Sequence, residues 1–251
     1  MFEQDAFLRA VCENPDDDAP RLVYADWLEE HGDPRGEFIR LSCERSNLPR
    51  LDPRRRVLTE RLDELQKAYD VVWREQMPHL PGVTWGVYDR GFIYMAKLEG
   101  PDTFQRHADQ IFAAAPIQAL ILRDAGVQTI RYFLNSAHLL RVRKLNLYGN
   151  NLGDEGAQLL ARCPHLINLT HLFLPANQIG FPGAQALADS RFLVNLRVLM
   201  LHSNPVGDDG ARELALSKRL GKLEELMLKE TSLQSETVEL LRRRFGPNVF
   251  A

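Results

Sequence analysis

Apolar and polar positions between residues 142 and 238 recur in one fixed pattern. Leu145 and Leu147 alternate with Lys144, Asn146 and Tyr148, a period of two that sends both leucines to one face of a strand. The pattern restarts at Leu172, Leu199 and Leu226, a step of 27 residues each time. Four segments align without gaps: LNLYGNNLGDEGA from Leu145, LFLPANQIGFPGA from Leu172, LMLHSNPVGDDGA from Leu199 and LMLKETSLQSETV from Leu226. Asn150, Asn177 and Asn204 recur where the strand turns, where a side-chain amide can satisfy backbone groups that no sheet partner reaches. Thr231 takes that place in the last copy and marks the end of the stack. Asp154 and Asp208 are expected N-caps, with Ala157, Leu160 and Ala161 following at helical spacing. Each copy therefore predicts one strand and one helix.

The repeat resembles the leucine-rich repeat, L-x-x-L-x-L-x-x-N-x-L, whose first apolar position here is Val142, Leu169, Leu196 and Leu223. With a helix in every copy it looks like the ribonuclease-inhibitor type. That resemblance implies an α/β fold: a right-handed solenoid with parallel strands on a concave side and helices on a convex side. One strand and helix cannot bury their apolar faces alone, whereas stacked copies can. Leu120 to Ala125 reads as a degenerate first repeat without the asparagine, preceded by a helix from Phe104 to Ala115. Downstream, Ser235 opens a helix through Val238, Leu240 and Leu241 to Phe245, stopped at Gly246-Pro247 and expected to close the array.

Residues 1–48 are different in kind. Phe2, Phe7, Leu8, Val11 and Cys12 suit a first helix that stops at Asn14-Pro15. Asp18 as cap and Pro20 in the first turn start a second, with Leu22, Val23, Trp27 and Leu28 as its apolar face and Gly32 at its end. A third carries Phe38, Ile39 and Leu41, and Trp27 and Phe38 are expected in the core. Twelve acids against five arginines give residues 1–48 a charge of -7. A charged helix from Arg54 to Gln76 follows, its face formed by Val57, Leu58, Leu62, Leu65, Tyr69 and Val72, and residues 83–95 read as a hairpin. The run from Asn14 to Glu30, with Gly32-Asp33-Pro34-Arg35-Gly36-Glu37-Phe38-Ile39-Arg40-Leu41, is similar to the bacterial repeat-companion domain. Arg90-Gly91-Phe92, Phe104, His107-Ala108, Ala113 to Pro116 and Arg244-Phe245-Gly246 look like the rest of such proteins. This resemblance implies a companion to repeats and no particular reaction. The expected organisation is a helical domain over 1–48, a connector over 49–100 and the solenoid over 101–251.

Composition adds exclusions. Of 251 residues 45% are apolar and 26% charged, and a net charge of -3 gives no general attraction to nucleic acid or anionic membrane. Cys12, Cys43 and Cys163 are odd in number and far apart, which argues against a disulfide framework and fits a reducing compartment. The start lacks a signal-peptide pattern and no apolar run is long enough to span a bilayer, so the expectation is a cytoplasmic protein. A monomer is the favoured state.

Candidate chemistry is sparse. Asp16, Asp17 and Asp18 with Asp26, Glu29 and Glu30 could serve a divalent cation, but their spacing is not that of an EF-hand and helix-end acids explain them. No two histidines have metal-ligand spacing, and no nucleophile elbow or phosphate loop occurs. Cys163 reads as a buried thiol. Arg54 to Arg56 and Arg242 to Arg244 read as solvated helix faces rather than a nucleic-acid stripe. No enzyme, metal or cofactor is expected. The best candidate is the concave face, where stacking lines up Ile121, Asn146, Phe173, Met200 and Met227. Beside them run Arg123, Tyr148, Pro175, His202 and Lys229 on one side, and Lys144, His171, Val198 and Glu225 on the other. An exposed apolar column rimmed by polar groups marks an interaction surface. The reading is a non-catalytic module that binds a protein partner there, with Ile121, Arg123, Asn146, Tyr148, His171, Phe173, Met200, His202, Met227 and Lys229 as contacts. Its rivals are an enzyme or metal site in the N-terminal region and a purely structural scaffold.

Overall fold

The computed structural model describes residues 2–229, 233–246 and 249–250, so Thr231 lies outside the described residues. Contacts divide the chain into two units, Met1–Ala96 with His107–Gln118, and Lys97–Arg106 with Ala119–Ala251. Residues 49–96 thus group with residues 1–48.

The first unit is built on α1 (Phe2–Glu13), α2 (Ala19–Glu30), α3 (Arg35–Asn47) and α4 (Arg54–Glu75), followed by β1 (Val83–Trp85), β2 (Tyr88–Asp89) and β3 (Phe92–Ile93). Val11, Tyr24, Ala25, Leu28, Ile39, Cys43 and Phe92 form one buried cluster, and Phe38, Leu62, Leu65 and Trp73 a second. The α2 face is rotated from the expected one. Val23 is 52% exposed and Trp27 only half-buried, while Tyr24 and Ala25 point inward. Trp27 instead stacks on His31 at 4.1 Å, over the edge of the core. On α4, Val57 and Val72 are exposed and Trp73 takes the buried place, 4.8 Å from the Phe38 ring. Helical spacing from Leu62 and Leu65 fits Val72 and Trp73 equally, and packing against Phe38 selects Trp73.

The hairpin of β2 and β3 turns through Arg90 and Gly91, with φ of 45° and 82°, the left-handed pair of a type I′ hairpin turn. A Cβ on Gly91 would lie 2.5 Å from the Ile39 Cα, so the turn presses directly on α3. Arg90 then reaches Pro15 O at 2.7 Å, Asp16 O at 3.0 Å and the Asp18 carboxylate at 2.9 Å. Phe92 is flanked by the guanidinium groups of Arg21 and Arg35, 5.7 and 5.2 Å from its ring centre. Arg21 is 1% exposed and donates to Asp17 O at 2.8 Å; burial, then the Arg90 charge, lower its pKa.

Along the chain, β4 (Met95–Glu99) and α5 (Thr103–Ala114) pass between the two units' segments. The second unit carries the parallel strands β5 (Ala119–Arg123), β6 (Lys144–Asn146), β7 (His171–Phe173), β8 (Val198–Met200), β9 (Glu225–Met227) and β10 (Val249–Phe250). Between them lie α6 (Val127–Phe133), α7 (Gly153–Ala161), α8 (Phe181–Ala188), α9 (Gly207–Leu216) and α10 (Ser235–Phe245). The pairing sets Leu145 beside Leu172, Leu172 beside Leu199 and Leu199 beside Leu226, all fully buried. The helix expected to close the array, α10, is followed by β10, which extends the sheet beyond it.

Three polar columns stitch the repeats. Asn177 is wholly buried; its Oδ1 accepts the N–H groups of Asn150 and Leu152 at 3.1 and 3.3 Å, and its Nδ2 donates to Leu147 O and Pro175 O at 2.8 and 3.0 Å. Asn150 and Asn204 do the same for their neighbours. At the helix ends, Cys163, Ser190 and Ser217 donate to Leu134 O, Ala161 O and Ala188 O at 3.3, 2.6 and 2.5 Å. The third column corrects an expectation. Asp154 does not cap its own helix: its Oδ1 accepts the N–H groups of Gly180 and Gly183, 2.8 and 2.9 Å away at the start of α8. Asp208 likewise serves Gln234 N, ahead of α10, at 3.0 Å. Helices α8 and α10, so served, are entered through an extended residue, whereas α7 and α9 are entered through Gly153 and Gly207 in left-handed conformation. Phe181 stands where the Asp to serve α9 would be. The 27-residue repeat thus alternates between two helix entries.

Candidate functional site

The face of the sheet opposite the buried leucines is built from the alternate strand positions. The strand pairing sets Ile121 beside Asn146, Asn146 beside Phe173, Phe173 beside Met200 and Met200 beside Met227. All five side chains are half-buried. Equal repeat length and parallel register make this column a direct consequence of the sequence. Its lower three members present only apolar atoms.

The strand-start column, Lys144, His171, Val198 and Glu225, is half-buried throughout. Thr170 Oγ1 lies 2.8 Å from His171 Nδ1, and the His171 ring centre is 6.1 Å from that of Phe173. Burial, then the Lys144 and Arg197 charges, lower the His171 pKa, so this imidazole is neutral near pH 7. The other column is uneven. Pro175 is buried, His202 and Arg123 are half-buried, and Tyr148 and Lys229 are exposed. Arg123 lies over the Tyr148 ring at 5.2 Å and donates to Tyr148 O at 3.3 Å. The Asn146 Oδ1 accepts Tyr148 N–H at 2.9 Å. His202 Nδ1 is buried without a hydrogen-bond partner among the described residues.

One column escaped the sequence reading. Arg143, Thr170, Arg197 and Glu224 also follow the 27-residue step. Thr170 N and Oγ1 both donate to Arg143 O, Arg197 N donates to Thr170 O, and Arg197 pairs with Glu224 at 2.7 Å. Counting the repeat one position before each strand would have found it.

Most of the acids singled out in the first unit have partners within that unit. Asp16 accepts from Gln118 at 2.6 Å, Asp17 from Ala19 N at 2.9 Å, Asp18 from Arg90 and from Asn47, and Asp26 and Glu29 both pair with Arg40. Among the described residues no group of three His, Cys, Asp or Glu side chains is placed to hold a metal ion. All three cysteines are buried and none forms a disulfide among the described residues; burial pushes the Cys43 thiol up to about 12 and raises that of Cys163. The basic runs are tied locally, Arg54 to Asp52 at 2.9 Å, Arg55 to Leu48 O at 2.9 Å and Arg243 to Glu239 at 3.1 Å. Among the described residues no helix is long and apolar enough to cross a membrane.

A search of curated proteins finds no match to the chain. A family model described as "Leucine Rich repeat" matches residues 142–161 and 193–215. These stretches end in α7 and α9, the two helices entered through a left-handed glycine. With the register and the asparagine column already described, the match establishes that the chain carries leucine-rich repeats.

Proposed function

We propose that this protein is a non-catalytic recognition module whose repeat unit binds a protein partner on the sheet face opposite the leucines. Leucine-rich repeats are generally protein-interaction modules. The observation that carries the reading is the aligned column Phe173, Met200 and Met227, half-buried, with His171, Glu225, His202 and Lys229 among its flanking residues. Interface centres favour such aromatic and methionine groups inside a polar rim. A sheet hydrogen-bonded from repeat to repeat is preformed, which limits the ordering entropy lost on binding.

The solenoid reading includes a right-handed turn, the hand nearly all parallel strand–helix–strand connections take, with the binding face concave. The first unit would act as a repeat-companion domain, in a cytoplasmic and monomeric protein. The test is affinity capture from native lysate by the full chain and by Phe173→Glu, Met200→Glu and Val72→Glu variants. A partner retained by wild type and by Val72→Glu but lost by the two sheet variants is the expected result. Equal recovery by all four would remove the sheet face from the function.

A further inference from the structure

We propose a second binding site on the repeat unit, a hollow lined by the C-terminal half of α7, by α8 and by the residues that follow α8, that takes an acidic segment of a protein partner. The hollow has a volume of about 630 Å³ and is lined by Arg162, Arg191, Phe192, Gln158, Gln185 and Asp189 among others. That volume lies within the range of about 300–1,000 Å³ that binding pockets occupy. It lies on the helix side of the repeats and does not depend on the sheet-face reading.

Charge along the repeats is divided by position. The four connections that run from a helix to the next strand, residues 134–143, 162–170, 189–197 and 217–224, hold eight Lys or Arg against two acids. The acids gather at the opposite edge, in the first turns of the helices: Asp154, Glu155, Asp208, Asp209 and Glu236. Helix dipoles favour this arrangement and explain part of it. They do not explain the cations beyond the helix ends. Arg191 follows the C-cap of α8 by two residues, and Lys218 stands 27 residues on, at the equivalent place after α9, with Arg219 beside it.

The hollow sits within this basic edge. Arg162 and Arg191 are exposed, and neither enters an ion pair among the described residues. Arg197, on the same connection, is by contrast paired with Glu224. Arg191 lies over the Phe192 ring at 4.8 Å, which holds its planar donors at the rim of the hollow. The Gln158 and Gln185 amides offer neutral donors. Asp189, exposed at the α8 C-cap, is the one acid in the lining, and the helix C-termini add partial negative charge. The two guanidinium groups outnumber it. A carboxylate is the group that a guanidinium fork accepts in bidentate form, and Phe192 supplies apolar contact for a neighbouring aromatic residue. Arg191 and Lys218 hold one repeat position in successive copies, between strands about 4.8 Å apart and helices roughly 8–10 Å apart, and two cations one repeat apart suit a chain better than a single small anion. An extended chain at about 3.3 Å per residue matches that step with an acid at every second or third position.

The test uses the full chain and a fluorescent twelve-residue peptide of repeating Glu-Glu-Phe, with a Gln-Gln-Phe peptide and a uridine oligonucleotide of equal length as comparisons. Expected is saturable binding of the acidic peptide that weakens as salt rises from about 0.05 M to about 0.5 M, at least tenfold weaker binding to R162E/R191E, and unchanged binding to R54E/R56E. Unchanged thermal midpoints confirm that the variants fold, and R162Q/R191Q should give an intermediate loss. No binding of the acidic peptide, equal binding of the Gln peptide, or equal binding by R162E/R191E overturns the proposal. Tighter binding of the oligonucleotide than of the peptide overturns the assignment to an acidic protein.

Discussion

The Asn204 side-chain oxygen accepts the backbone N–H of Asn177 at 2.9 Å, across a full repeat. Asn177 passes the same bond to Asn150, which passes it to Ala125 N at 2.8 Å. Each amide closes its own turn and also ties it to the turn before. The column is therefore cooperative: loss of one asparagine leaves backbone groups in two repeats without partners.

Asn177→Ala is expected to be among the most damaging single changes in the repeats. It strands the N–H groups of Asn150 and Leu152 and the carbonyl of Leu147, all buried, at about 1–3 kcal/mol for each group left unpaired before relaxation. Urea unfolding should show a loss of at least about 2 kcal/mol; a loss below about 1 kcal/mol would mean that water replaces the amide.

Ala176 has φ of 52°, at the position held by Gly149 in the repeat before and Ser203 in the repeat after, both also left-handed. A Cβ there costs about 1–2 kcal/mol in backbone strain, partly offset by the greater freedom of glycine in the unfolded chain. Ala176→Gly should raise stability by about 0.5–1 kcal/mol, read as an upward shift of the urea midpoint with unchanged slope. A downward shift would contradict the strain argument.

Asp154→Ala removes the acceptor for Gly180 N and Gly183 N at the start of α8. The expected cost is about 1 kcal/mol, as for an N-cap residue. Hydrogen exchange should localise the loosening to the first turn of α8 rather than to α7, the helix that carries Asp154. Faster exchange in α7 alone would count against the cross-repeat cap.

His171 gives the sheet face a pH dependence. Its folded-state pKa lies below the ordinary value of 6.5, mainly through burial. Below that value the unfolded chain binds the proton more readily than the folded one, so stability falls as pH drops from 6.5 towards the folded pKa and is fully retained above 6.5. Wild type minus His171→Gln stability, measured across that window, should decline with acidification. A flat difference would show that His171 titrates alike in both states.

Much of the repeat unit was legible without coordinates, because a period of two inside a period of 27 fixes both face and register once parallel strands stack. The leucine core, the asparagine column and the Phe173, Met200 and Met227 line all follow from that arithmetic. Helices α1, α2, α3 and α4 were legible as segments from their caps and breakers, for the same reason that local signals act within a few residues. Partners distant in sequence were not. The inward rotation that buries Tyr24 and leaves Trp27 half-exposed depends on where Phe92 enters, 68 residues after Tyr24. The transfer of the Asp154 cap to the following helix depends on how one turn lies against the next. The hollow beside Arg162 and Arg191 exists only because α7 and α8 pack side by side. Periodicity and local caps are properties of the chain; the angle of a helix, the reach of a side chain across a repeat and the space left between two ends are set by packing, which only the tertiary structure decides.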